Sequence, residues 1–167
     1  PEHPGAVMAG RLRAVSTHRR ELLGGAWSIH STAPGAIAGP DQLDSDGADW
    51  LPVQGAQTAA ACLAGAGQWS LDGPPQRWDA HDWWFRARFE RPQAVPGEHV
   101  VLGFDGLATL SEVWLNGEPL LRSENMFIAH EAEITDRLLD RNELVLVCRS
   151  LDGRLAARRP RPRWRAP

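Results

Sequence analysis

Two short stretches bring together the residue types that recognise hydroxyl-rich ligands. Trp78-Asp79-Ala80-His81-Asp82-Trp83 sets two carboxylates and an imidazole between indoles, and Ser123-Glu124-Asn125-Met126-Phe127 sets a carboxylate beside an amide and an aromatic ring. A sugar presents an apolar C–H face and a rim of hydroxyls, so its recognition needs a flat ring for stacking and adjacent groups that accept and donate hydrogen bonds. Trp78 with Asp79, and Asn125 with Glu124, supply those types, while His81 and Asp82 add a base next to a carboxylate. Each residue also has a plainer use. Trp83 reads as core, Trp78 as core or stacking face, and Asp79 and Asp82 as caps of a loop and a strand end.

Other chemistries find fewer of their parts. His81 with Asp82, or His130 with Glu131, pairs a base with a carboxylate, but no Ser stands in a nucleophile elbow. Cys62 and Cys148 lie far apart, in Ala-rich or apolar surroundings, and read as small buried hydrophobes and not as a disulfide framework. His30, His81, His99 and His130 are scattered without zinc-ligand spacing, and no glycine-rich loop opens a phosphate-binding helix, so neither metal nor cofactor is expected.

The net charge of −3 gives no long-range attraction to nucleic acid or to an anionic membrane surface, and neither is expected as a partner. No apolar run approaches the roughly 20 residues that cross a bilayer. All 18 cationic side chains are Arg, six of them between Arg154 and Arg165, a segment that reads as a linker or strand entry in preference to a phosphate-binding run. Pro1 to Arg20 lacks the continuous apolar stretch of a secretory signal, so a cytoplasmic location is expected.

The elements that must position these residues are mostly strands. With 167 residues and 43% hydrophobic content the chain encloses one sizeable core, whereas a complete (β/α)₈ barrel needs roughly 250 residues. From Asp82 to Glu90 apolar side chains alternate with charged ones, Trp84 excepted, which predicts a strand with one buried face and Arg86 and Arg88 on the other. Strands are likewise predicted at Ala26–Ser31, His99–Asp105, Leu110–Leu115, Glu118–Leu121 and Phe127–Ile134. Asn116-Gly117 forms a tight hairpin turn, and Glu143–Ser150, nearly all apolar, reads as a strand buried on both faces. Short helical pieces are predicted at Ala14–Leu23, Gln57–Leu63 and Thr135–Leu139, the last capped by Thr135. Between Ala33 and Gly73 loops prevail, apart from Trp50-Leu51-Pro52-Val53 and the helical turn. The pattern predicts an all-β sandwich with few short helical turns.

The ordered set Trp83-Trp84-Phe85-Arg86 with Phe89, Leu102-Gly103-Phe104-Asp105-Gly106-Leu107, Val113-Trp114-Leu115-Asn116-Gly117, Ile134-Thr135-Asp136-Arg137-Leu138 and Asn142-Glu143-Leu144-Val145-Leu146 resembles the N-terminal domain of glycoside hydrolase family 2, in its β-mannosidase-like branch. The resemblance covers roughly Trp27 to Arg149. It implies a galactose-binding-like jelly-roll sandwich, often called sugar-binding, that precedes immunoglobulin-like and barrel domains. A division follows into an N-terminal extension (1–20), the sandwich (21–153) and an Arg/Pro-rich segment (154–167).

In this family two Glu residues about 5 Å apart perform retaining hydrolysis of terminal β-glycosides, and both sit on the barrel. Asn142-Glu143 has the look of an acid/base motif, yet it opens a sandwich strand. No catalytic residue is therefore assigned to this chain, and it is expected to hydrolyse nothing by itself. The resemblance also implies that the loops around Trp78, Asp79, His81, Asp82, Glu124 and Asn125 lean toward the barrel's sugar pocket. A Trp-Asp motif that helps to shape this pocket follows shortly after such Arg/Pro segments. The sequence in hand stops short of it, so the reading expects an architecture truncated before its closing strand, with an unpaired sheet edge. Two other roles remain open, an independent carbohydrate-binding module and a purely structural domain.

Overall fold

The computed structural model describes residues 19–43 and 49–157. Eight strands follow one another as β1 (Ala26–Thr32), β2 (Leu51–Val53), β3 (Asp82–Glu90), β4 (Val101–Phe104), β5 (Ser111–Leu115), β6 (Glu118–Ser123), β7 (His130–Glu133) and β8 (Arg141–Cys148). Three short helices, α1 (Pro40–Leu43), α2 (Ala59–Gly65) and α3 (Asp152–Ala156), and 3₁₀ turns at Trp78–Ala80 and Thr135–Arg137 complete it. Six strands form one antiparallel sheet in the order β2-β1-β3-β8-β5-β6, and β4 and β7 pair antiparallel as a second. This is the mostly antiparallel β architecture that the alternation predicts.

One face of the large sheet meets the small sheet. Ala87, Val113 and Leu144 lie buried there against Leu102 and Phe104, and Leu115 packs with Ile134 and Leu138. Farther along the same face Ile29, Trp83 and Phe85 pack with Cys62 of α2 and with Trp78. Thr58 caps α2, its Oγ1 accepting from Ala61 N. Asn116 and Gly117 both adopt positive φ, 53° and 82°, as the two-residue hairpin between β5 and β6 requires.

The outer face departs from the predicted polar side. Trp84 is fully buried there, stacked on Trp114 with ring centroids 5.9 Å apart and enclosed by Val145, Val147, Ile37 and Leu43. The first half of β3 is therefore buried on both faces, because the loop after β1 folds across the sheet. Other expectations shift locally. The predicted helix at 14–23 has only residues 19–23 described, and these are not helical: Leu23 reaches the core while Leu22 is 99% exposed, so no apolar stripe supports a helix. The strand expected at 127–134 shrinks to β7, since Asn125 Oδ1 accepts from Phe127 N and holds that segment as a loop. Thr135 does not cap its turn; its Oγ1 accepts from Val100 N. α1 and α3 carried no clear sequence signal. The Arg/Pro segment lies mostly outside the described residues, as does most of the N-terminal extension.

Candidate functional site

Strand register gathers the two candidate stretches at one end of the large sheet. Trp83 pairs with Cys148, Cys148 with Ser111, and Ser111 with Ser123, so the chain entering β3 and the chain leaving β6 emerge from the same row. α3 spans the interval between them. Leu151 N and Ser150 Oγ both donate to Asp79 O, at 3.0 and 2.7 Å, and Arg77 pairs with Asp152. From the other side of α3, Arg154 Nη2 donates to Glu124 Oε1 at 2.9 Å.

The six predicted residues are placed differently. Trp78 is half-buried, edge-on to Trp69 at 5.3 Å and tilted against Trp83 at 5.6 Å, and its carbonyl accepts from Trp83 Nε1. This gives Trp78 contacts on the core side and leaves part of its surface to solvent. Asp79 lies 3.6 Å from Arg77 and remains partly exposed, while His81 is exposed with its ring 6.1 Å from Trp83. Glu124 is exposed and joined to Arg154 and, at 3.9 Å, to Arg122. Asn125 is exposed within a closed turn, donating its N–H to Ser123 Oγ. The turn holds the exposed Phe127 outward, 87% accessible, and His130 Nε2 braces it from below at 2.9 Å from Ser123 Oγ.

Asp82 is 1% exposed, and both carboxylate oxygens are occupied. Oδ1 accepts from Ser150 N at 2.7 Å, and Oδ2 accepts from Gly35 N and Arg149 Nη1, both at 3.0 Å. In this chain it is the strand-end anchor that the sequence allows as its plainer use. Arg149 completes the node: it donates to Ile37 O at 2.7 Å, Ala38 O at 2.8 Å and Glu112 Oε1 at 3.1 Å, and its guanidinium lies 4.9 Å from the Trp84 ring. Sequence reasoning missed Arg149 and Glu112. The available signal was a cation directly following the apolar run of β8, and an acid set between apolar residues in β5.

Asn142 and Glu143 are structural. Asn142 is buried, exchanging hydrogen bonds with the Leu139 backbone, and Glu143 pairs with Arg88 at 2.7 Å. Cys62 and Cys148 are free thiols, both pushed above the usual range chiefly by burial, which keeps them protonated and poorly nucleophilic. Among the described residues no cluster of His, Cys, Asp or Glu has the grouping of a metal site, and no helix is long and apolar enough to cross a membrane.

The side chains gathered at this end, an indole beside carboxylates and an amide, are of the types that suit recognition of polar, ring-shaped ligands or of another protein surface. The family model described as glycosyl hydrolase 2 galactose-binding domain-like matches residues 43–165. The chain belongs to that family. This galactose-binding-like domain is 33% identical over 129 residues to a β-mannosidase B of Aspergillus flavus, covering 72% of this chain and 15% of that protein. It is 38% identical over 94 residues to a β-mannosidase B of Aspergillus terreus, covering 53% and 11%. The domain thus spans only a small part of the length of these curated relatives. Among solved structures it is similar in fold to the β-D-mannosidase of Dictyoglomus thermophilum (TM-score 0.54, 21% identity, 80% of this chain and 16% of that one). A β-glucuronidase of Faecalibacterium prausnitzii gives TM-score 0.52 at 20% identity, over 81% and 22%.

Proposed function

We propose that this domain serves a β-mannosidase-like, retaining exo-β-glycosidase as its accessory sandwich, with the end that carries Trp78, Asp79, His81, Glu124 and Asn125 turned toward the sugar and toward the immunoglobulin-like and barrel domains of the same parent chain. The observation that carries this reading is the union of two loops, more than forty positions apart in sequence, at one sheet end under α3. The similarity to β-mannosidase B supports the class of glycoside. Hydrolysis would need a carboxylate pair supplied by the barrel, and the domain contributes shape and polar contacts.

The test is kinetic. In the parent enzyme, Trp78→Ala and Asn125→Ala are expected to raise KM for an aryl β-mannoside about tenfold each, the effect of losing roughly 1.4 kcal/mol of binding. The 167-residue chain alone is expected to release no aglycone. Unchanged KM and kcat in both variants would reduce the domain to a scaffold. If instead the chain alone quenches its Trp fluorescence with mannose at a Kd well below about 1 mM, and Trp78→Ala abolishes the quenching, the module reading takes its place.

A further inference from the structure

The outer face of the large sheet holds a second place for a ligand. A shallow, largely open cleft of about 480 Å³ lies there between the loop at 34–38 and the chain around Ser150 and Gly153, with Asp82, Arg149 and Glu112 on its lining. Trp78 lies on the opposite face, against the cluster of Ile29, Cys62, Trp83 and Phe85, while Ser150 at the cleft's edge reaches the chain beside it through its bond to Asp79 O.

The charged lining retains unused capacity. A guanidinium has five N–H donors. Arg149 directs four of them, to Asp82, Ile37 O, Ala38 O and Glu112 Oε1, and the fifth, on Nη2, meets no acceptor among the described residues. Glu112 accepts on Oε1 alone, so Oε2 remains open among the described residues. An open donor and an open acceptor thus sit on two side chains already locked together at 3.1 Å, which removes the ordering cost that flexible surface residues would impose. Two carboxylates against one guanidinium leave one net negative charge, which disfavours anionic ligands. Pro34 and Ile37 furnish an apolar wall.

We infer that this cleft binds the edge of a neutral vicinal diol of the pyranose kind, one hydroxyl donating to Glu112 Oε2 and its neighbour accepting from the free Arg149 Nη2–H. Asp82 takes no part in the contact; it holds Arg149 in place. Two substitutions isolate the cleft without breaking this node. Gly153 has no atom within 4 Å of where a Cβ would stand and no positive φ, so Gly153→Leu fills the mouth at little structural cost. Glu112→Gln keeps the acceptor that Arg149 uses and replaces the open oxygen by a donor.

The experiment is amide NMR of the 167-residue chain titrated with D-mannose, D-glucose and, as anionic control, inorganic phosphate. At least one sugar is expected to shift the amides of 35–38, 112 and 149–153 saturably, with a Kd of roughly 1–10 mM. Gly153→Leu and Glu112→Gln should each weaken it tenfold or more while the rest of the spectrum stays native, and His99→Asn, on the exposed side of the small sheet, should leave it unchanged. No saturable shift, preference for phosphate, or binding that survives either cleft variant overturns the assignment. The accessory-domain reading is read from KM in the parent enzyme and the cleft from amide shifts of the chain alone, so failure of one and failure of the other give different patterns.

Discussion

Buried polar side chains fasten both ends of the large sheet, but with different chemistry and over different spans of chain. Beside the Asn116-Gly117 turn the fastening is neutral: Asn142 Oδ1 accepts from Leu139 N at 2.8 Å and from Asn116 Nδ2 at 3.0 Å, and Asn116 Oδ1 accepts from Glu143 N at 2.9 Å. These bonds close spans of 3 to 27 residues. At the opposite end the Asp82–Arg149 node is ionic and reaches 67 residues to Asp82 and 112 to Ile37. Neutral amides suffice where the chain is already nearby. An ion pair with several backbone partners holds segments whose closure costs more entropy, and it does so at the end where the candidate loops emerge.

This contrast can be broken from the ionic side first. Arg149→Ala strands the carboxylate of Asp82 without its charge partner and unties Ile37 and Ala38, and is expected to cost about 3–5 kcal/mol in urea unfolding. Asn142→Ala leaves the Leu139 backbone groups unpaired and should cost less, about 1–3 kcal/mol. Equal losses, or a larger loss at Asn142, would overturn the ranking. A double variant tests independence: the two sites share no partner, so their losses should add to within about 0.5 kcal/mol.

How far the sequence discloses the molecule follows the same divide. The hairpin at Asn116-Gly117, the turn before β8 and the period of β3 are local, and each could be read from neighbouring residues. What escaped reading was long-range. Trp84 breaks the alternation of β3 because Ile37 and Leu43 fold over it, and nothing near Trp84 announces that cover. Asp82 carried two readings until Ser150, Gly35 and Arg149 were found around it. The candidate loops were legible as residue types, but their meeting at one end depends on strand order, which propensity does not encode.

Smaller effects sharpen the comparison. Thr58→Ala removes the cap of α2, which packs beside the candidate end, and is expected to cost about 1 kcal/mol by thermal or urea denaturation. The smallest involves His99 and Glu133, 2.6 Å apart on the small sheet's exposed side. Glu133 raises the His99 pKa above its ordinary 6.5, and His99 lowers that of Glu133 below its ordinary 4.5. The histidine's contribution is therefore complete below pH 6.5 and fades as pH rises through its raised pKa; the glutamate's is complete above pH 4.5 and fades as pH falls. Stability of the native chain relative to His99→Asn should be greatest between those values and converge on either side, read as urea midpoints across pH 3 to 9.

The disparity between six strands in one layer and two in the other has a dynamic consequence. β4 and β7 each contribute four residues, and among the described residues each is hydrogen-bonded along one edge only. Their separation would rupture one short ladder while β3 and β8, flanked on both sides, stay paired. The lid layer should therefore detach as a cooperative unit before global unfolding, with its amides exchanging with deuterium sooner than those at the centre of the large sheet.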